Sequence, residues 1–309
     1  MSLISLIAAL LLEQWRPLSD RRNLLTPLSR YVMYLERQFN AGESHHGVIA
    51  WSLVIIPAVM CIWLVYWLAN HVSPLAALVL NVLTLYVTMG FRQFSHYFTA
   101  IQLALKEDDL PRARQLLAEW RGHNCGNLGR EEIVRLSIEG ALTASHRHVF
   151  AVIFWFVLLP GPSGAVLYRL ASFLDKAWDG GALGDAELGR FGKFAHNAFE
   201  FLDWLPVRVT AAAFAVVGDF EDAVYCWRTQ AAKWNDRALG IVLATGAGAL
   251  GVRLGMPLEM NGEVEDRPEL GVGEYAETGF LDSTVGLVWR ALVLYLLMLL
   301  IIGVAKVVS

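Results

Sequence analysis

Apolar and polar positions alternate along this chain in blocks rather than in a regular rhythm. Residues 1–12 are apolar but shorter than the roughly 20 residues a helix needs to cross a bilayer, so they predict a short or half-inserted helix. From Pro17 to His46, Leu28, Tyr31, Val32, Leu35 and Phe39 recur at helical spacing among Arg21, Arg22, Arg30 and Arg37, the pattern of an interfacial amphipathic helix. Gly47 to Phe91 then contain no Asp, Glu, Lys or Arg. A break at Asn70-His71-Val72-Ser73-Pro74 divides this tract into a helical hairpin, residues 47–91. Arg and Lys flank the hairpin and are missing from its turn, so the flanks are expected on the cytoplasmic side.

Residues 92–148 change character. Ile101, Ala104, Leu110, Ala113, Leu117 and Trp120 keep helical spacing with charged residues between them, and Asp109 with Pro111 predicts a helix restart. Gly122 to Gly129 break that helix. A second begins near Arg130 and runs to His146-Arg147-His148, expected to be a cationic helix end at the membrane surface. From 149 to 257 the apolar stretches are short and interrupted, as where backbone at membrane depth lines a cavity. Residues 258–284 form an acidic loop with eight Asp or Glu against one Arg, and residues 285–309 hold a conventional span, Val285 to Val307. The expected fold is all-α: a polytopic integral membrane protein with four to five full spans, short broken helices and an amphipathic cytoplasmic helical portion.

Composition agrees, at 56% hydrophobic and 17% charged, against about 45–50% and about 25% in soluble domains. Such a chain is not disordered. A net charge of −4 without a basic block excludes a nucleic-acid partner. Cys61, Cys125 and Cys226 form no C-x-x-C, so neither a zinc site nor a disulfide framework is expected. The N-terminus lacks a basic n-region and an A-x-A site, and no signal peptide is expected.

Gly246-x-Gly248-x-x-Gly251 matches a dinucleotide fingerprint, but no strand precedes it. Small residues at this spacing instead suit close helix packing. His146 and His148, two apart, do not share a helical face, and no metal is expected there. The informative stretch is Phe194 to Asp222. Glu200, Asp203 and Arg208 sit beside apolar sequence, where isolated charges are costly and mark functional sites by default. Glu200 and Asp203 are three apart on one helical face, with Pro206 expected to kink or restart the helix. Tyr168 and Asp175 share a face on another helix. With Glu139 and Arg135 these groups are expected to line one polar pocket, and Glu139, Tyr168, Asp175, Glu200, Asp203 and Arg208 are its ligand-binding candidates.

At these residues the chain resembles a known membrane family. Leu105 to Arg114, Leu136-Ser137-Ile138-Glu139, Tyr168 to Asp175, Leu202-Asp203-Trp204-Leu205-Pro206-Val207-Arg208 and Gly248 to Gly255 occur in the order seen in the CobD/CbiB family. Its synthases join cobyrate-type corrinoids to an aminopropanol or its phosphate in cobalamin biosynthesis. The resemblance implies a multi-pass protein of the bacterial inner membrane with a corrinoid or phosphorylated small molecule as ligand. It also implies a membrane-protein partner or a homo-oligomer, and Mg²⁺ with a nucleotide if synthase activity is retained. Leu202 to Arg208 is similar also to AmpE, which implies a non-enzymatic alternative in envelope or β-lactamase regulation, or a membrane-complex subunit.

The chain departs from the synthases in three places. Thr143-Ala144-Ser145-His146-Arg147-His148 stands where they carry Glu-Asn-Thr-Val-Asp-Gly. Phe199 and Glu200 replace paired acids, and Trp234-Asn235-Asp236-Arg237 replaces Ser-Pro-Asn. These departures imply an inherited pocket that has lost synthase carboxylates.

Overall fold

The computed structural model describes residues 2–15, 21–39, 44–122, 125–179, 186–260 and 263–308. The described chain is helical apart from a ribbon of two short antiparallel strands, β1 (Leu258–Met260) and β2 (Glu263–Glu265), within the acidic loop. It forms two compact units, Met1–Gly90 with Ala151–Leu205, and Phe91–Phe150 with Pro206–Ser309.

In the first unit, α1 (Ser2–Trp15) packs on α4 (Pro74–Thr88), while α3 (Ser44–Val72) packs on α4 and on α9 (Ser163–Ala177). Helix α2 (Arg21–Phe39) lies against α3, and α8 (Ala151–Leu158) against α9. The turn between α3 and α4 falls at the expected break. Ser73 caps α4 by accepting the Leu75 N–H at 3.2 Å, and Pro74 begins it.

In the second unit, α5 (Phe91–Lys106) packs on α6 (Leu110–Arg121), and both pack on α7 (Arg130–Ser145). Helix α11 (Phe220–Gln230) is paired with α12 (Arg237–Leu250), and α7 also meets α12 and α13 (Gly279–Val308). Asp109 starts α6 by accepting the Arg112 N–H, Gly122 ends it at φ +77°, and Asp236 caps α12. Gly246 and Gly248 are packing residues of α12. A Cβ on Gly246 would meet Leu142 at 2.7 Å, and one on Gly248 would press on the Asp222 backbone. The dinucleotide reading therefore fails, and the close-packing one holds.

Three described helices are long and apolar enough to cross a bilayer: His46–Val72, Arg130–Leu158 and Gly279–Ala305. The first leaves Ile56, Met60, Leu64 and Leu68 exposed, and the last leaves Val293, Leu297 and Ile301 exposed. The expected count of four to five is not reached, because α4 has 15 residues and α12 has 14, short of the roughly 20 a span requires.

Two expectations about helix ends are corrected. His146–Phe150 is a π-helical turn inside a helix that runs on to Leu158, not a cationic terminus. There His146 is buried and its Nδ1 is hydrogen-bonded to Thr210 Oγ1 at 2.9 Å, while Arg147 pairs with Asp236 at 3.2 Å. Pro206 does not restart its helix, since α10 runs unbroken from Ala186 to Val217. Proline lacks the N–H that the carbonyl four residues back would accept. That carbonyl, on Leu202, accepts instead from the Trp155 indole N–H at 3.2 Å.

Candidate functional site

Glu139 sits about a third of the way along the helix from Arg130 to Leu158 and is 2% exposed. Burying a carboxylate requires partners for both oxygens, and the fold supplies them from three directions. Oε1 accepts the Gly255 N–H at 3.0 Å, Oε2 accepts from Arg267 Nη2, and Arg121 approaches Oε2 at 3.9 Å. Arg267 is itself buried and lies over the Trp234 ring at 5.0 Å. One turn before Glu139, Arg135 is buried and directs Nη1 to the Met256 sulfur at 3.5 Å, with Glu131 Oε1 at 3.8 Å. Its Nε has no hydrogen-bond partner among the described residues.

The segment held by these residues is shaped by glycine. Gly255 has φ +73°, and a Cβ there would collide with the Pro268 carbonyl oxygen. Leu254 and Leu270 exchange backbone hydrogen bonds of 2.7 and 2.9 Å, so the segment returns on itself as a narrow double strand. Glu139 and Arg135 therefore fasten it to α7. Arg267, the partner of Glu139, is the single Arg of the acidic loop, and the sequence reading did not select it.

The other unit holds four of the predicted site residues. Tyr168 donates its hydroxyl to Asp203 Oδ1 at 2.9 Å, both side chains being buried. Asp175 Oδ1 lies 2.9 Å from His196 Nδ1, and His196 Nε2 lies 3.8 Å from Glu200. Tyr168 and Asp203 thus come together, and Asp175 and Glu200 are bridged by His196, which was not singled out. Glu200 and Asp203, expected to share one helical face, differ in burial. Asp203 is 1% exposed, whereas the Glu200 side chain is 58% exposed. Arg208 belongs to the second unit and is half-buried, and burial, then the like charge of Arg237, lowers its pKa from the usual guanidinium value. Among the described residues no three His, Cys, Asp or Glu side chains are placed to hold a metal ion.

Chemically, the two units offer different things. The Glu139 carboxylate is engaged on both oxygens and serves as an anchor, not a free base. The Asp175, His196 and Glu200 side chains form a partly exposed acid–imidazole–acid row that can bind an ammonium group or relay a proton.

Comparison with known proteins agrees with this chain order. The model of the family described as CobD/Cbib protein matches residues 6–288. A cobalamin biosynthesis protein CobD of Stutzerimonas stutzeri is 36% identical over 304 residues, covering 97% of each chain. A protein of the same name from Chromobacterium violaceum is 34% identical over 249 residues, covering 81% of this chain and 77% of its own. One from Mycobacterium tuberculosis is 27% identical over 250 residues, 79% and 76% of the two chains. These relatives lend no support to the AmpE alternative. No solved structure matches.

Proposed function

The chain belongs to the CobD/CbiB family, and from that we propose that it acts in cobalamin biosynthesis as a multi-pass protein of the bacterial inner membrane. It would handle a corrinoid and a phosphorylated amino-alcohol at the cytoplasmic face. The observation that carries this is the match to the Stutzerimonas CobD protein along 97% of both chains at 36% identity, since a shared domain alone would align only in part.

The reaction this reading assigns is amide formation, in which the amine displaces phosphate from a corrinoid carboxylate activated by a nucleotide, so that the carboxylate oxygen leaves with the phosphate and the amine gives up its protons. Glu200 and Asp175, with His196 between them, suit the incoming ammonium group and the proton it must lose. Tyr168 and Asp203 tie two helices of their unit together, and Glu139 holds the segment from Gly255 to Arg267 in the other. A carboxylate is a poor acylating group, so a nucleotide with Mg²⁺ would enter as an activating co-substrate. No three described acids or imidazoles converge to fit a resident metal.

The test combines purified full-length protein, a cobyrate-type corrinoid, aminopropanol phosphate, Mg²⁺ and nucleotide, with product analysis by mass spectrometry. A cobinamide product bearing the new amide is expected. Absence of product, with undiminished cobalamin synthesis in a strain lacking the gene, would refute the proposal.

A further inference from the structure

A second feature of the same unit lies outside the residues used above. An open cleft of about 390 Å³ is lined by Gln230, Lys233, Arg253, Glu269 and the glycine-containing turn Gly271-Val272-Gly273. Its volume is at the lower end of the range for small-molecule sites. Its walls are fixed. Gln230 brackets Gly271, accepting its N–H at 2.6 Å and donating to its carbonyl at 3.1 Å. Gly271 and Gly273 have φ of +91° and +96°, and a Cβ on either would strike the Val252 or Gly251 carbonyl, so the turn keeps this shape only with glycine.

Arg253 is held at three points. Its Nε donates to the Gly273 carbonyl at 2.9 Å, its Nη1 is 3.4 Å from Glu269, and its guanidinium lies over the Tyr275 ring at 5.3 Å. Nη2 is left without a protein partner among the described residues. Lys233, exposed on the same cleft, has no carboxylate within 4.0 Å among the described residues. Two cations thus face one opening, and among the described residues the one carboxylate lining it is an exposed Glu269 whose ion pair is weak and readily exchanged.

We propose that this cleft binds the phosphate group of a small phosphate monoester, which displaces Glu269 from Arg253 and is neutralised by Arg253 and Lys233. A guanidinium with its fork half occupied suits a tetrahedral oxyanion, and a mobile lysine completes the charge. The resident Glu269 competes for the same guanidinium and sets the affinity. The assignment stands on the cleft and does not depend on the reaction proposed above.

The experiment uses the full chain in neutral detergent at low salt, with glycerol phosphate as ligand followed by ³¹P line broadening. Lys233→Gln is expected to weaken binding about ten-fold, the loss of one charge-assisted contact. Glu269→Gln is expected to strengthen it several-fold, a gain that a merely unfolded variant cannot give. Wild-type protein in nanodiscs containing phosphatidic acid, compared with phosphatidylcholine alone, tests a lipid source of the same phosphate. Lipid-selective binding with the same order of variants assigns the cleft to a headgroup. Equal displacement of glycerol phosphate by malonate overturns the phosphate assignment, and binding of neither phosphate source, or binding indifferent to both substitutions, overturns the site.

Discussion

Replacing Glu139 by Gln is the most exacting perturbation of this fold. The carboxylate is 2% exposed and receives the Gly255 N–H, the buried Arg267 guanidinium and the nearby Arg121. Gln keeps the shape and one acceptor oxygen, but its amide N–H₂ must face either the Gly255 N–H or Arg267, donor against donor. The buried Arg267 then loses its counter-charge. Breaking a buried pair by removing one partner costs about 3–5 kcal/mol, and at roughly 2–4 °C per kcal/mol for a domain of this size the melting temperature should fall by on the order of ten degrees. The assay is thermal unfolding of detergent-purified protein followed by tryptophan fluorescence. Glu139→Gln combined with Arg267→Gln removes both charges, and the double variant should melt above Glu139→Gln alone, because the remaining cost is hydrogen bonding and packing. A single variant melting within a degree of wild type, or a double variant melting below the single, would refute the claim that a buried ion pair fastens the segment from Gly255 to Arg267.

Other consequences are more local. Trp155→Phe should destabilise by about 1–3 kcal/mol, since it orphans the Leu202 carbonyl that Pro206 cannot serve; chemical denaturation measures it, and no loss would show that the indole bond is incidental. Gly255→Ala should lower expression or melting temperature severely, because φ is +73° and the Pro268 carbonyl occupies the space. Asp282→Asn should change stability by less than about 1 kcal/mol, since its ion pair with Lys106 is exposed at both ends. The Cys226 thiol is pushed up to about 11, chiefly by burial and then by Asp222. The folded state therefore holds its proton more tightly than the unfolded chain, and stability should fall as pH rises from about 9 toward 11. In Cys226→Ser that part of the alkaline decline in melting temperature should be missing.

What could be read from the sequence followed from physics acting along short stretches. The charge-free tract, the Ser73-Pro74 break, the Asp109 start and the Gly122 stop each depend on residues within one or two turns, and each lies where its pattern puts it. The failures have distant partners. Pro206 signals a helix restart from its own stretch of sequence, yet the helix continues through it, and the Leu202 carbonyl that it cannot serve is served by Trp155, 47 positions away in sequence. His146-Arg147-His148 looks like a helix terminus only if its charges need water. Thr210 takes up His146 and Asp236 takes up Arg147, so the helix continues through them.

The candidate site shows the same division most sharply. Glu139 was visible because a carboxylate among apolar residues is expensive, but expense identifies a residue without naming what satisfies it. Its partner Arg267 is 128 positions away, in a loop that an excess of acids marks as solvated surface. A loop with eight acids has ample countercharge for its one arginine at the surface, so burying that arginine requires a carboxylate held in the interior, and Glu139 is such a carboxylate. That burial belongs to the fold, since the acids beside Arg267 in sequence would serve it equally well at the surface. By the same reasoning, Lys233 and Arg253, with Glu269 as the one carboxylate lining their cleft among the described residues, are the pair on which the proposed anion site rests.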